Sequence, residues 1–173
     1  MKNEELRQFL TSKSACQSAL DWLGDRDSDR MWAECDRPDW LMWWAAHAVP
    51  RQQLVFAACD CAELALPFVP EGEDRPRLAI ETARRWARGE ATLQQYYDAR
   101  AGALAYAVEA RRQAAVARRD GVDAYAGFAA SNCGYNMYAV VSSAIDADKT
   151  NAQKMCQLIR TSWPECPLPE VFA

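Results

Sequence analysis

The chain has 173 residues, half of them hydrophobic and a quarter charged, with a net charge of −4 and seven cysteines. A chain of this length buries roughly 70% of its unfolded surface around one core, and an alanine- and tryptophan-rich composition points to helices rather than to a sheet of Val, Ile and Thr. The acidic balance, with a pI near 5.1, excludes recruitment of nucleic acid by the overall field, and no apolar run reaches the roughly 18 residues that a membrane helix needs.

The first ten residues are polar and lack an apolar leader core, so the expected location is the cytoplasm, with all seven thiols free. Asn3 is placed to cap a short helix through Leu6, Phe9 and Leu10, and a second helix is expected from about Ser14 to Leu23, closed by Gly24. Ser28 is the expected cap of a third, carrying Met31, Trp32 and Cys35. It stops at Arg37, because the residue before Pro38 is pushed out of helical geometry. Pro38 and Asp39 suit the first turn of a fourth helix that runs to Val49. A fifth follows from Arg51 to about Leu66, with Leu54, Ala58, Cys61 and Ala65 on one inward stripe. The segment from Pro70 to Pro76 is the clearest loop, and a sixth helix starts at Pro76 and ends at Gly89.

Thr92 with Gln95 forms a capping-box pattern opening a long helix to about Arg119, with Gly121 as its stop. From Val122 the near-heptad set Val122, Ala129, Cys133, Val140 and Ala144 predicts a second long helix, making a hairpin with the first. Thr150 with Gln153 repeats the capping signal for a last helix through Met155, Leu158 and Ile159, followed by an irregular proline tail. The expected architecture is therefore an all-α single-domain helical bundle over residues 1–173. Its Trp- and Cys-rich multi-helix half covers 1–89, and 90–173 holds the hairpin of two long alanine-rich helices, the last helix and the tail.

Chemistry-bearing patterns are sparse. Cys59 and Cys61 stand two apart on a helix and diverge, and His47 is the only histidine, so no metal site or cofactor is expected. No nucleophile elbow or phosphate-binding glycine loop is present, so no catalytic residue is assigned and the chain is read as a non-enzyme. Binding residues are more visible. Trp40, Trp43 and Trp44 share a helical face; they fit a core cluster, with Trp43 or Trp44 as the alternative of an exposed partner anchor. Sixteen of the twenty basic residues are arginine, and arginine suits bidentate contacts to carboxylate or phosphate. The stripe Arg111, Arg112, Arg118, Arg119 and the set Arg84, Arg85, Arg88 are candidates for an acidic partner or an anionic ligand, against the plainer reading of solvated helix ends. In the loop, Asp74 would cap the sixth helix while Arg75 or Arg77 pairs with Glu81; the alternative is a recognition edge.

Three segments together carry a resemblance: AECDRPDWLMWW at 33–44, ACDCA at 58–62, and EDRPRLAIE at 73–81 with Trp86. They are similar to the family of immunity proteins encoded beside bacterial polymorphic toxins, relatives of which occur in bacteriophage genomes, with the likeness spanning about Cys16 to Gly89. The resemblance implies an all-α cytoplasmic protein that neutralises a toxin or effector by non-catalytic binding, a phage-borne version being directed at a host defence protein. The alternative is a binder or sponge for a small, nucleotide-like anion. The expected partner is a protein, with no membrane and no nucleic acid, and an exposed alanine-rich face would permit a homodimer.

Overall fold

The computed structural model describes residues 1–117, 121–134 and 136–169, and all regular structure among them is helical. Four short helices come first: α1 (Asn3–Ser12), α2 (Gln17–Leu23), α3 (Ser28–Glu34) and α4 (Pro38–Ala48). Proline opens α4, as its missing N–H suggests. Two expected caps differ. Asn3 turns its amide away from its own helix and donates to the carbonyls of Gly24 (3.0 Å) and Arg26 (2.6 Å), tying α1 to the turn after α2. Asp27, not Ser28, caps α3 by accepting from the Arg30 N–H at 2.9 Å, while Ser28 is fully buried.

The next helices are α5 (Arg51–Glu63) and α6 (Arg75–Ala87), separated by a 3-10 turn at Leu66–Phe68. Leu54, Ala58, Cys61 and Ala65 all face inward as their spacing predicts, and Val55, Ala57, Cys59 and Ala62 are buried beside them. Burial nearly all round makes α5 the central helix, packed against α4, α6 and the later helices. Its small residues allow that crowding.

α7 (Leu93–Ala117) opens with the expected box: the Thr92 N–H donates to Gln95 at 2.8 Å, and the Gln95 N–H to Thr92 Oγ1 at 3.2 Å. It lies against α6, with Trp86 stacked on Tyr96 at 5.2 Å. The expected second long helix is instead two, α8 (Val122–Asn132) and α9 (Met137–Ala147). Near Gly134 the chain turns, the Gly134 carbonyl accepts from Arg51 of α5 at 2.7 Å, and Asn136 starts a new helix by accepting from the Ala139 N–H. Ala129, Cys133, Val140 and Ala144 are nevertheless fully buried. Heptad spacing marked the inward positions but could not show that the axis bends between them.

α10 (Asn151–Ser162) closes the set. Its expected cap fails because Thr150 donates its N–H and hydroxyl to Asp148 instead, both at 2.8 Å. Arg160 of α10 reaches back to the carbonyls of Trp32 (2.8 Å) and Cys35. The irregular tail is held by two tryptophans: Trp32 Nε1 donates to the Trp163 carbonyl at 3.0 Å and Trp44 Nε1 to that of Pro167 at 2.8 Å. One buried cluster runs from Leu6 and Leu10 through Trp44 and Val55 to Val140 and Ile159, so both halves of the sequence supply it.

Candidate partner-binding surface

Seven cysteines have no disulfide among them, and five are buried. Burial raises the thiols of Cys35 and Cys156 to about 11 and of Cys166 to about 12, since an apolar surrounding disfavours thiolate. Cys59, Cys61 and Cys133 meet in the core, where Cys133 is pushed far up, first by desolvation. Cys16 is the opposite: exposed, 3.2 Å from the Ser18 hydroxyl, and shifted down chiefly by that hydrogen bond. Brief iodoacetamide treatment at mildly alkaline pH is expected to label Cys16 first, with Cys59, Cys61 and Cys133 labelled only after denaturation. Peptide mass spectrometry reads this directly, and early labelling of Cys133 would contradict the packing.

His47 sits near the end of α4, with Nδ1 2.8 Å from the Trp43 carbonyl and its ring 4.2 Å from the Trp43 indole. These contacts occupy one ring nitrogen and one ring face in holding the helix end. Among the described residues, no group of three or more His, Cys, Asp or Glu side chains is placed to hold a metal. No described helix is long and apolar enough to cross a membrane.

The tryptophans divide by depth. Trp44 is 1% exposed, edge-on to Phe9 at 5.5 Å, so it is a core residue and not the exposed anchor that was its alternative. Trp43 is half-buried. It lines a groove of about 310 Å³ together with Trp22, Trp40 and Arg37, between the early helices. Arg37 lies over Trp40 at 4.5 Å and Arg26 over Trp22 at 4.5 Å. Each cation is already met by a carboxylate, Arg37 by Asp39 (2.6 Å) and Arg26 by Glu34 (2.7 Å).

The arginines of α6 separate in the same way. Arg84 is 22% exposed and turns inward to grip Asp60 and Glu63 of α5, which holds its guanidinium still more firmly charged, so it clamps two helices instead of facing a partner. Arg85 and Arg88 are exposed, but both fasten the turn into α7 through Glu90, by its carbonyl (3.3 Å) and its carboxylate (2.9 Å). Arg75 does not reach Glu81. It pairs with Glu73, whose carboxyl it pulls below the usual range, and lies over the Tyr106 ring at 5.4 Å. Asp74 occupies the cap position of α6 without a side-chain bond to the helix; its carboxylate is exposed. Arg77 points to solvent, and beside it Leu78 is 52% exposed.

Further along α7, Arg112 pairs bidentately with Glu109 (2.8 and 2.9 Å), holding that carboxyl down at about 2, and Arg111 lies 6.0 Å from the Phe128 ring. Arg118 and Arg119 lie outside the described residues. Reading charges alone missed Leu78. The signal was present: Pro76, Ala79, Ile80 and Ala83 define the inward face of α6, and residue 78 falls outside it. What results is an edge in which Asp74, Arg77 and Leu78 face solvent beside the Glu73–Arg75 pair.

Residues 46–158 match the family model described as "Imm-5 like putative immunity protein". No curated protein and no solved structure matches the chain. The match runs from the last residues of α4 through most of α10, so it leaves the 33–44 segment outside and extends well beyond Gly89 into the alanine-rich helices.

Proposed function

Because the chain belongs to the Imm-5 like immunity protein family, we propose that it neutralises a toxin or effector in the cytoplasm by direct, non-catalytic binding, acting as a single helical domain through the edge formed by the 70–76 loop and the start of α6. The observation that supports this edge is Leu78, a large aliphatic residue held out into solvent next to Arg77 and three residues after Arg75 of the Glu73–Arg75 pair, within the matched region. Arginine is enriched among binding hot spots, and the exposed aliphatic side chain beside it adds apolar area that a partner can bury. Its partner presents an apolar pocket with carboxylates at the rim.

Affinity capture from the native host, with mass spectrometry, identifies the partner. The double variant Leu78→Asp/Arg77→Glu is then expected to lose about 2 kcal/mol or more of binding, roughly thirtyfold in Kd. The change falls on exposed positions, so the thermal midpoint stays near wild type. Unaltered affinity in the folded variant removes this edge from the interface. The neighbouring genes separate two forms of the reading: a toxin gene beside this one indicates immunity, whereas phage genes indicate an inhibitor of host defence.

A small-anion sponge is the second reading, supported by the arginine-capped tryptophans of the groove. It is the weaker of the two, because Asp39 and Glu34 already balance Arg37 and Arg26. A bound nucleotide at 100 times its Kd adds about 2.7 kcal/mol of stability, so a thermal shift with any nucleotide would revive it.

A further inference from the structure

We infer that the exposed face of α7 is the seam of an antiparallel homodimer, in which α7 of one chain packs on α7 of a second copy. This interface is separate from the α6 edge and does not depend on the identity of any toxin. Five large apolar residues stand exposed on α7: Leu93, Tyr97, Leu104, Val108 and Val116, with Val108 at 56%. Tyr97, Ala101, Leu104, Val108, Arg111 and Ala115 follow one another at alternating steps of four and three, and all six are exposed. Such a 3.5-residue repeat selects another helix as occupant, since only a second helix presents knobs and holes at the same period. The repeat covers about 27 Å of helix at 1.5 Å per residue.

The sequence of the seam chooses which helix. Set antiparallel to a second copy about residue 106, Leu104 meets Val108, Tyr97 meets Ala115, and Arg111 meets Ala101. Every large side chain faces a smaller one, so the layers fill without collision. Arg111 places its stem over Ala101 of the second copy while its guanidinium stays over Phe128 of its own chain, 6.0 Å from that ring. The flank agrees. Asp98, Ala105 and Arg112 form the exposed row beside the seam, and in antiparallel pairing this row meets itself end for end. Asp98 of each chain therefore comes alongside Arg112 of the other, giving two cross-chain opposite-charge pairs about a pair of facing alanines. Within the chain Asp98 accepts from Gln94 at 2.8 Å and Arg112 holds Glu109; both stand at the surface, so the second contact extends these pairs without stranding a charge. A parallel arrangement would turn this row toward the opposite flank of the second copy, so Asp98 and Arg112 would not meet, and it would stack Tyr97 on Tyr97 and Ala101 on Ala101, leaving layers alternately overfilled and empty.

Sedimentation equilibrium of the full chain over a concentration series tests this. The expected mass is twice the 19.4 kDa of the chain, and Leu104→Glu is expected to give the single-chain mass with helical circular dichroism unchanged. Should that variant misfold, the charge rows provide an independent readout: Asp98→Arg and Arg112→Asp each weaken the dimer, and the two combined in one chain restore it. A wild-type protein that stays at the single-chain mass overturns the inference, and so does a dimer indifferent to Leu104→Glu and to both charge reversals.

Discussion

Trp44→Ala is expected to lower the unfolding free energy by about 3–5 kcal/mol, the cost of emptying a large aromatic site in a core that cannot collapse around it. Burial and two contacts set the size. The indole is 1% exposed, its edge meets Phe9 at 5.5 Å, and its N–H donates to the Pro167 carbonyl at 2.8 Å. For a protein of this size the loss corresponds to roughly 10 °C in thermal midpoint, at 2–4 °C per kcal/mol. Trp44→Phe keeps an aromatic ring at the site but removes the N–H that the indole donates to the Pro167 carbonyl, which retains only the weak Cys166 thiol contact at 3.8 Å; a smaller loss is expected, about 1 kcal/mol from that bond plus the cost of the smaller ring. Hydrogen exchange adds a local readout: Trp44→Phe loosens the tail while leaving α7 and α8 protected. A midpoint unchanged by Trp44→Ala would mean that this residue is not in the core.

Gly127→Val is the second large effect, expected at about 3 kcal/mol through overpacking, with Gly127→Ala nearer 1–2 kcal/mol. At position 127 α8 crosses α7 so closely that an added Cβ lies 2.8 Å from Ala107 Cβ, 2.8 Å from the Tyr106 ring and 2.9 Å from the Ala103 carbonyl oxygen. The last of these is backbone and cannot swing aside, so the two helices must move apart. Alanine recovers part of the loss, because it gains roughly 1 kcal/mol of helix propensity over glycine; valine gains less and adds two methyl groups to the clash. Chemical denaturation of the two variants, read as a midpoint at unchanged slope, separates the cases. A Gly127→Val variant as stable as wild type would show that the helices do not touch there.

The exposed apolar residues of α7 and α6 share one lesson about legibility. Inward faces were readable because burial requires apolar residues at helical spacing: Ala58, Cys61, Cys133 and Val140 all lie where their periods predicted. Outward apolar residues such as Leu78 and Leu104 stand out only against a known inward face, so a search for charge passed over them. The arginines mislead for the reverse reason. Arg84, Arg85 and Arg88 look alike in sequence, yet one clamps α5 and two fasten a turn, since each takes whichever carboxylate or carbonyl its neighbours bring within reach.

Local chemistry in the sequence was enough to determine the helical class, the proline and capping-box starts of α4 and α7, and the inward positions of α5, because each depends on backbone sterics or on side-chain period within a few residues. Tertiary structure alone decided that α8 and α9 part near Gly134, that Thr150 serves Asp148 and Asn3 serves the turn after α2, and that Trp32 and Trp44 hold the tail. Each of those outcomes is a competition for hydrogen-bond partners and space between segments far apart in the chain, and the winner is fixed only once the helices are packed.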